Sequence, residues 1–305
     1  MEGDEFLDLC NSSIEQVRTV VDIGTSAASE PAPTSTAWRE YFASDEVRPD
    51  GTAWGHEVAR RANSTAALAV MAAAQFIAAL QQLLRRGQPV AAFGFETMSR
   101  CVIEACARAW WIYDPAIGTR ERVARAETVQ LHSLGEGMRA EVLAGRGTTE
   151  FLQARDRLVQ EAQGLGLVVD WSNHSPPRPI GFEGERRQDG TTVIHEMLAD
   201  LGLQGAAALA YPLYSAVAHA TSYGLMRHLQ ILQTNGSVAK VQPQVTAKEM
   251  GNAVVFAVSS YLGVMARKAL LFGFDPKPYD ETRFRVCGEI MTAAATITPT
   301  GSAAT

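Results

Sequence analysis

The stretch over residues 91–114 constrains the fold most, because its sequence is that of a helix that is apolar around most of its circumference. With about 100° of rotation per residue, the apolar side chains cover roughly 200°, twice the width expected of an ordinary surface helix. The remaining arc is a narrow polar stripe. It carries Glu96, Arg100, Glu104, Arg108 and Trp111. We therefore predict a helix that is packed on most sides and has one charged stripe.

The polar stripe can be interpreted either as an exposed ladder of salt bridges or as the lining of a pocket. Glu96 and Arg100, like Glu104 and Arg108, stand in the favourable i,i+4 order, so an exposed stripe would be a ladder of salt bridges contributing about 0.3–0.5 kcal/mol each. A stripe that faces the interior would line a pocket instead, where charged pairs are retained for ligand binding despite their desolvation cost. The apolar Trp111 within the polar arc favours the pocket.

The rest of the chain also has helical patterns, which predict an all-α, multi-helix bundle. Further helices are predicted over residues 4–23, 38–47, 55–86, 119–144, 148–164, 195–203, 206–233, 246–272 and 279–295. We expect residues 1–50 to form an N-terminal helical arm and linker, 51–295 the bundle domain, and 296–305 a disordered tail. The apolar runs 66–80 and 254–266 fall short of the ~20 residues that cross a bilayer, so core helices are expected and no membrane partner.

A long non-helical insertion near residues 166–192 interrupts this pattern. Segments of this length without structure are uncommon inside compact domains and often act as lids or binding loops. The alternative is a disordered surface insertion. Within it, residues 167–171 have the pattern of one short strand.

Composition and motifs exclude several classes of function. With a formal net charge of -6 and a pI near 5.6, the chain has no overall positive potential that would attract nucleic acid or anionic lipid. The acidic start lacks the features of a secretory signal, and a cytoplasmic protein is expected. The four cysteines are read as buried thiols. Fingerprints of dinucleotide, P-loop, zinc-hydrolase, α/β-hydrolase and di-iron proteins do not occur, so neither a metal nor a cofactor is expected.

A second polar stripe is predicted on the helix over 206–233. If that helix is continuous, Ser215, His219, Ser222, Tyr223 and Arg227 fall within about 140°. His219 is a candidate for ligand binding or general acid–base chemistry, and the alternative is a hydrogen-bonded interior histidine. A nucleophilic role for Ser215 would also need an orienting group and an oxyanion site, which the sequence does not place.

Several short motifs resemble a bacterial all-helical family of unknown function that is distantly allied to HEPN domains. They are the R-x3-E-x3-R run at Arg100, Glu104 and Arg108, the WWIYDP that follows, and Y-S-x3-H at Tyr214, Ser215 and His219. The similarity spans about 55–233 and implies a helical bundle that is often dimeric.

HEPN nucleases are recognised by an Arg followed by four to six residues and a His. Here only Arg125 and His132 have that spacing, a match expected by chance in so arginine-rich a chain. The polar residue that usually follows the arginine is replaced by Ala126. The sequence thus departs from the nuclease pattern.

Together these patterns predict a cytoplasmic helical protein that binds a small polar or anionic ligand in an interhelical pocket. Arg100 and Arg108 would grip a carboxylate or phosphate, with Glu104 orienting Arg100. Trp111 and Tyr223 would supply stacking surface, and His219 or Glu104 would be the general acid or base of a cofactor-independent enzyme. The remaining predicted ligand-binding residues are Glu96, Ser215 and Arg227. The alternatives are a non-catalytic regulatory homodimer built on the stripes and, ranked last, a HEPN-type ribonuclease toxin.

Overall fold

The structure, a computed structural model, describes residues 3–27, 30–42, 46–85, 93–186, 190–226, 228–235, 238–243 and 245–297. Across these ranges the chain forms eleven α-helices and two small antiparallel sheets. The predicted all-α, multi-helix fold is confirmed. The predicted tail over 296–305 lies almost wholly outside the described residues.

The helices are α1 (Gly3–Ala27), α2 (Thr36–Phe42), α3 (His56–Leu83), α4 (Gly94–Ile112), α5 (Thr119–Leu143), α6 (Thr149–Gly164), α7 (Gly190–Asp200), α8 (Gln204–Ala218), α9 (Ser222–Met226), α10 (Ala247–Phe272) and α11 (Lys277–Thr296). The strands are β1 (Val169–Trp171), β2 (Pro179–Phe182), β3 (Glu185–Arg186), β4 (Leu229–Asn235) and β5 (Val238–Pro243).

Helix α10 lies at the centre of the bundle, because its side chains are apolar on every face. Every residue over 253–266 is buried, and the helix packs against α4, α11, α1 and α3. Its start is fixed by a capping box, in which Thr246 accepts from the Glu249 amide and Glu249 accepts from the Thr246 amide. Its end is set by Gly273 in the left-handed conformation.

Helix α4 is the second central element, and it is packed on most sides as predicted. It contacts α3, α10, α7, α8 and α5, and twelve of its nineteen residues are buried. Ser99 donates a hydrogen bond of 2.7 Å to the Ala253 carbonyl of α10, which ties the two central helices together.

Helix α1 packs against α11 and α10. Its apolar side recurs at i, i+3 and i+4 spacing and enters the main core through Phe6, Cys10, Ile14, Val17 and Val21.

The predicted single helix over 206–233 is wrong. Helix α8 ends at Ala218, Ala220 has a φ of 51°, and after the short α9 the chain enters a hairpin of β4 and β5. The overlooked signal is Asn-Gly at 235–236, directly after the short, mostly apolar run 229–232, since Asn-Gly is a strong short-range indication of a hairpin.

The interpretation of residues 166–192 as a disordered insertion is also wrong for its described part. Strands β1, β2 and β3 form an antiparallel sheet in that order, with Val169 opposite Phe182, and β1 matches the predicted strand. Phe182 is fully buried, and its amide donates to the Thr128 hydroxyl of α5 at 3.2 Å. The insertion is thus a small sheet attached to α5.

Two predicted boundaries are corrected as well. Helix α2 ends at Phe42 rather than residue 47, and Val47 pairs with Ala53 across the turn at 48–51. Helix α7 begins at Gly190, five residues before His195.

Candidate functional site

A cavity of about 550 Å³ lies between α4, α5, α7 and α8. Its volume is within the range of roughly 300–1,000 Å³ that is typical of small-molecule sites. Helix α4 contributes Arg100, Glu104, Ala107, Arg108 and Trp111; α5 contributes Thr128, Val129, His132, Ser133 and Glu136; and α7 and α8 contribute Thr191, Val193, Ile194 and Tyr211. The charged stripe of α4 therefore forms one wall of an interhelical cavity.

A hydrogen-bonded network joins α4 to α8 at one side of this cavity. Arg100 Nε donates to Glu104 Oε1 at 2.7 Å, and the Tyr211 hydroxyl donates to the same oxygen at 2.9 Å. The second arm of the guanidinium places Arg100 Nη1 at 3.3 Å from His219 Nε2. This network holds Arg100 in one orientation.

The protonation states of this network follow from its contacts. Burial alone would lower the pKa of Arg100, but pairing with Glu104 outweighs burial and raises it. Burial and the adjacent Glu104 carboxylate raise the pKa of Tyr211 to about 12. At neutral pH, Arg100 is a cation and Tyr211 a hydrogen-bond donor.

Arg108 differs from Arg100 in that its guanidinium has no hydrogen bond or ion pair to any described residue. The predicted pairing of Glu104 with Arg108 is wrong, because Glu104 pairs with Arg100 one turn earlier. Arg108 lies one turn from Trp111, whose ring is almost completely buried in the same wall. Arg108 is thus a cation without a protein partner among the described residues, one turn from the aromatic ring of Trp111.

Glu96 does not line this cavity. Its carboxylate lies 3.1 Å from His228 Nε2, and both side chains are buried. The rings of Phe93 and Phe95 meet the imidazole edge-on, with centroids 5.7 and 6.3 Å away. Glu96 and His228 form an interior pair that fixes the start of α4.

The predicted partner stripe is only partly assembled. His219 is exposed at the end of α8 and reaches Arg100, whereas Ser215, one turn before it, does not line the cavity. The break after Ala218 removes the continuous helix that would have aligned His219 with Tyr223 and Arg227. Arg227 and the side chain of Tyr223 lie outside the described residues.

The sequence reasoning missed the walls supplied by α5, α7 and Tyr211. Val129, His132, Ser133 and Glu136 follow i, i+3, i+4 and i+7 spacing on α5, which is a readable helical stripe. Tyr211 lies one turn before Ser215 and could have been included by the same argument. Nothing in the sequence indicated that α7 would close the cavity.

Buried arginines fix the other end of α4. Arg122 is fully buried, and its Nε donates to both Glu40 oxygens at 3.0 and 3.1 Å. Its terminal nitrogens donate to the carbonyls of Ile112, Asp114 and Ile117. Burial raises the pKa of Glu40, although Arg122 opposes that shift. These contacts satisfy carbonyls at the end of α4 that lack helical partners.

Arg125, the arginine of the nuclease-like spacing, is engaged in structural contacts. It donates to the Trp111 carbonyl at 2.8 Å, lies 5.2 Å from the centroid of that ring, and pairs with Glu121 and Glu185. Its partner in the motif, His132, lies at the cavity instead. The contacts of Arg125 account for its presence without a role in catalysis.

Metal and thiol chemistry receive no support from the described residues. No group of three or more His, Cys, Asp or Glu among them could hold a metal ion. All four cysteines are free thiols, and burial raises the pKa of Cys10 to about 12 and that of Cys106 further. Such thiols are unreactive at neutral pH.

Comparison of the chain with models of protein families, with curated proteins and with solved structures finds no match.

Proposed function

We propose that the protein binds a small organic anion in the cavity between α4, α5, α7 and α8. The observation that carries the proposal is Arg108, a solvent-exposed guanidinium that lines the cavity and has no partner among the described residues. A guanidinium presents a planar fork of donors that matches a carboxylate or phosphate. An anion bound there would supply the partner that Arg108 lacks.

The rest of the lining supports a ligand with an apolar body. Trp111, Val129, Val193 and Ile194 line the cavity together with Ala107. Sites for small molecules are mostly apolar and carry a few polar groups that fix the orientation of the ligand. A carboxylate at Arg108 would place an adjoining ring or alkyl chain against these side chains.

Arg100 and Glu104 have a different role in this proposal. Arg100 is already paired with Glu104, and Tyr211 donates to that same carboxylate oxygen. The pair is neutral overall, and it gives the cavity a polar edge whose orientation is already fixed before a ligand binds. The proposal is for binding, with Glu104 as a positioning residue and His219 as a neighbour of Arg100.

Affinity measurements on matched arginine variants test the proposal. Isothermal titration of the wild type with indole-3-acetate, benzoate and inorganic phosphate should show binding of at least one carboxylate. Arg108→Gln should weaken that binding by at least tenfold, because a charge-assisted hydrogen bond contributes about 1.5–3 kcal/mol. Arg157→Gln, an exposed arginine of α6 outside the cavity, is the control.

Native mass spectrometry of freshly purified protein complements the titration. A retained small anion should be present in the wild type and absent in Arg108→Gln. Equal affinities in the wild type and Arg108→Gln would refute the proposal. So would the failure of every probe together with the lack of any retained molecule.

A further inference from the structure

Helix α3 has an outward face that the described part of the chain leaves uncovered. Helices α3 and α10 are both long and apolar enough to cross a membrane, yet 83% of the most apolar window of α10 is buried and only 28% of that of α3. The core position of α10 accounts for its composition. Part of the apolar surface of α3 also packs on the core, but core packing does not account for the exposed Leu68 and Met71.

The uncovered face is a straight stripe along α3. At about 100° per residue, its members fall within roughly 80° of arc. They are Glu57, Arg60, Ser64, Leu68, Met71, Gln75, Ala78 and Gln82. The middle of this stripe is apolar, with Leu68 64% and Met71 61% exposed, and Ala67, Ala72 and Ala74 beside them are only half-buried.

We infer that this face is the interface of a homodimer, in which two copies of α3 pack antiparallel about a two-fold axis at Met71. Positions along α3 are spaced evenly on either side of that residue, and the outermost pair carries opposite charges. Ser64 and Ala78 lie seven positions to either side, Arg60 and Gln82 eleven, and Glu57 and Arg85 fourteen. A two-fold interface uses one self-complementary patch on both copies.

Charge and helix polarity both favour the antiparallel arrangement. It brings Glu57 of one copy to the partner's Arg85 at both ends of the contact, and both side chains are exposed. It also sets each helix N-terminus beside the C-terminus of the other helix, where the partial charges are opposite. Small alanines around Leu68 and Met71 allow the helix backbones to approach closely.

The dimensions of the exposed apolar face fit a dimer better than a helix that spans a membrane. At 28 residues, α3 is about 42 Å long, and its whole length is available to a second α3. The apolar part of the face, over 67–74, extends only about 12 Å, far less than the ~30 Å hydrocarbon core that a spanning helix must match. Polar residues at both ends suit the rim of a protein interface.

This inference is independent of the anion-binding cavity, which is lined by α4, α5, α7 and α8. It also differs from a dimer formed by the charged stripe, because that stripe lies on α4 and lines the cavity, whereas the proposed interface lies on α3.

Sedimentation velocity on the full chain at micromolar concentrations tests the inference. The wild type should be a dimer and Met71→Glu a monomer, since two carboxylates would meet at the axis. Phe284→Glu places the same charge on a residue of α11 that is 68% exposed, and should remain a dimer. Far-UV circular dichroism confirms that each variant is folded.

Charge exchange tests the antiparallel register. Glu57→Arg should raise the dimer dissociation constant by roughly fivefold, and combination with Arg85→Glu should restore it. A monomeric wild type would overturn the inference, as would a dimer that survives Met71→Glu. Flotation of the wild type, but not of Met71→Glu, with phosphatidylcholine–phosphatidylglycerol vesicles would assign the face to a membrane instead.

Discussion

Replacing Arg122 with methionine removes a fully buried guanidinium from the contact between α2, α4 and α5. The Glu40 carboxylate then remains buried without its cation, which costs about 3–5 kcal/mol. The carbonyls of Ile112, Asp114 and Ile117 lose a donor each, at about 1 kcal/mol apiece. The expected total of roughly 6–8 kcal/mol is comparable with the entire stability of many domains.

Glu40→Gln should be far less harmful, although it breaks the same ion pair. The amide oxygen of glutamine still accepts from Arg122 Nε, and the guanidinium keeps its three carbonyl partners. The guanidinium remains charged without a counter-ion, so we expect a loss of about 3 kcal/mol, at the low end of the range for breaking a buried ion pair. The two halves of the pair are therefore unequal, because only Arg122 has additional acceptors around it.

The loss in Arg122→Met should also depend on pH. Burial raises the pKa of Glu40 even beside Arg122, and loss of the cation raises it further. A carboxyl whose folded pKa lies above its unfolded value stabilises fully below the unfolded value of about 4.3, and this stabilisation is lost as pH rises through the folded pKa. The gap between wild type and variant should therefore widen from pH 5 to pH 8.

Urea unfolding followed by circular dichroism at both pH values measures these quantities. Equal losses in Arg122→Met and Glu40→Gln would refute the unequal role of the two residues. A gap that does not change with pH would refute the assignment of the loss to the buried carboxylate.

Three further predictions concern other parts of the bundle. Alkaline absorbance titration should show Tyr211 ionising near pH 12, as a step that is missing in Tyr211→Phe. Because this pKa exceeds the unfolded value of about 10, the associated stability persists below pH 10 and is lost towards pH 12. If the step that Tyr211→Phe lacks lies near pH 10 instead, the raised pKa is contradicted. His228→Leu should lower the free energy of unfolding by about 3 kcal/mol in urea titrations, and the double variant with Glu96→Leu should recover much of that loss. If the losses of the two single variants simply add in the double variant, the two side chains are not a coupled pair. Ala220→Gly should raise the melting temperature, because Ala220 has a positive φ. Gly224→Ala should lower the melting temperature, since a Cβ there would lie 2.5 Å from the Ala216 carbonyl carbon. Changes in melting temperature of the opposite sign would show that the turn after α8 is misassigned.

The helices that could be predicted from sequence are those with capping residues at their ends and an uninterrupted helical repeat of apolar residues. Helix α10 carries its own start and stop signals in Thr246, Glu249 and Gly273, and α5 was placed to within one residue at its end. The error over 206–233 arose because the apolar pattern continues past Ala218. The break there depends on the pairing of β4 with β5, which a helical pattern does not encode.

The same distinction applies to the candidate site. The wall formed by α4 was predictable, since Arg100, Glu104 and Arg108 are one turn apart on a single helix. The opposite walls depend on which faces of α5 and α7 meet α4, and this is settled by packing across the whole bundle. The pair of Glu96 and His228 joins residues 132 positions apart, a separation at which one sequence carries no pairing signal.

Helix α4 is held at its first turn by the Glu96–His228 pair and at its last by Arg122, with the cavity between these two points. A helix fixed at both ends cannot slide along its axis without breaking buried hydrogen bonds. Ligand binding at Arg108 should therefore reorient side chains and leave the backbone of this wall in place. The site would then select anions by shape, because the backbone of α4 would not move aside for a molecule too large for the space beside Trp111.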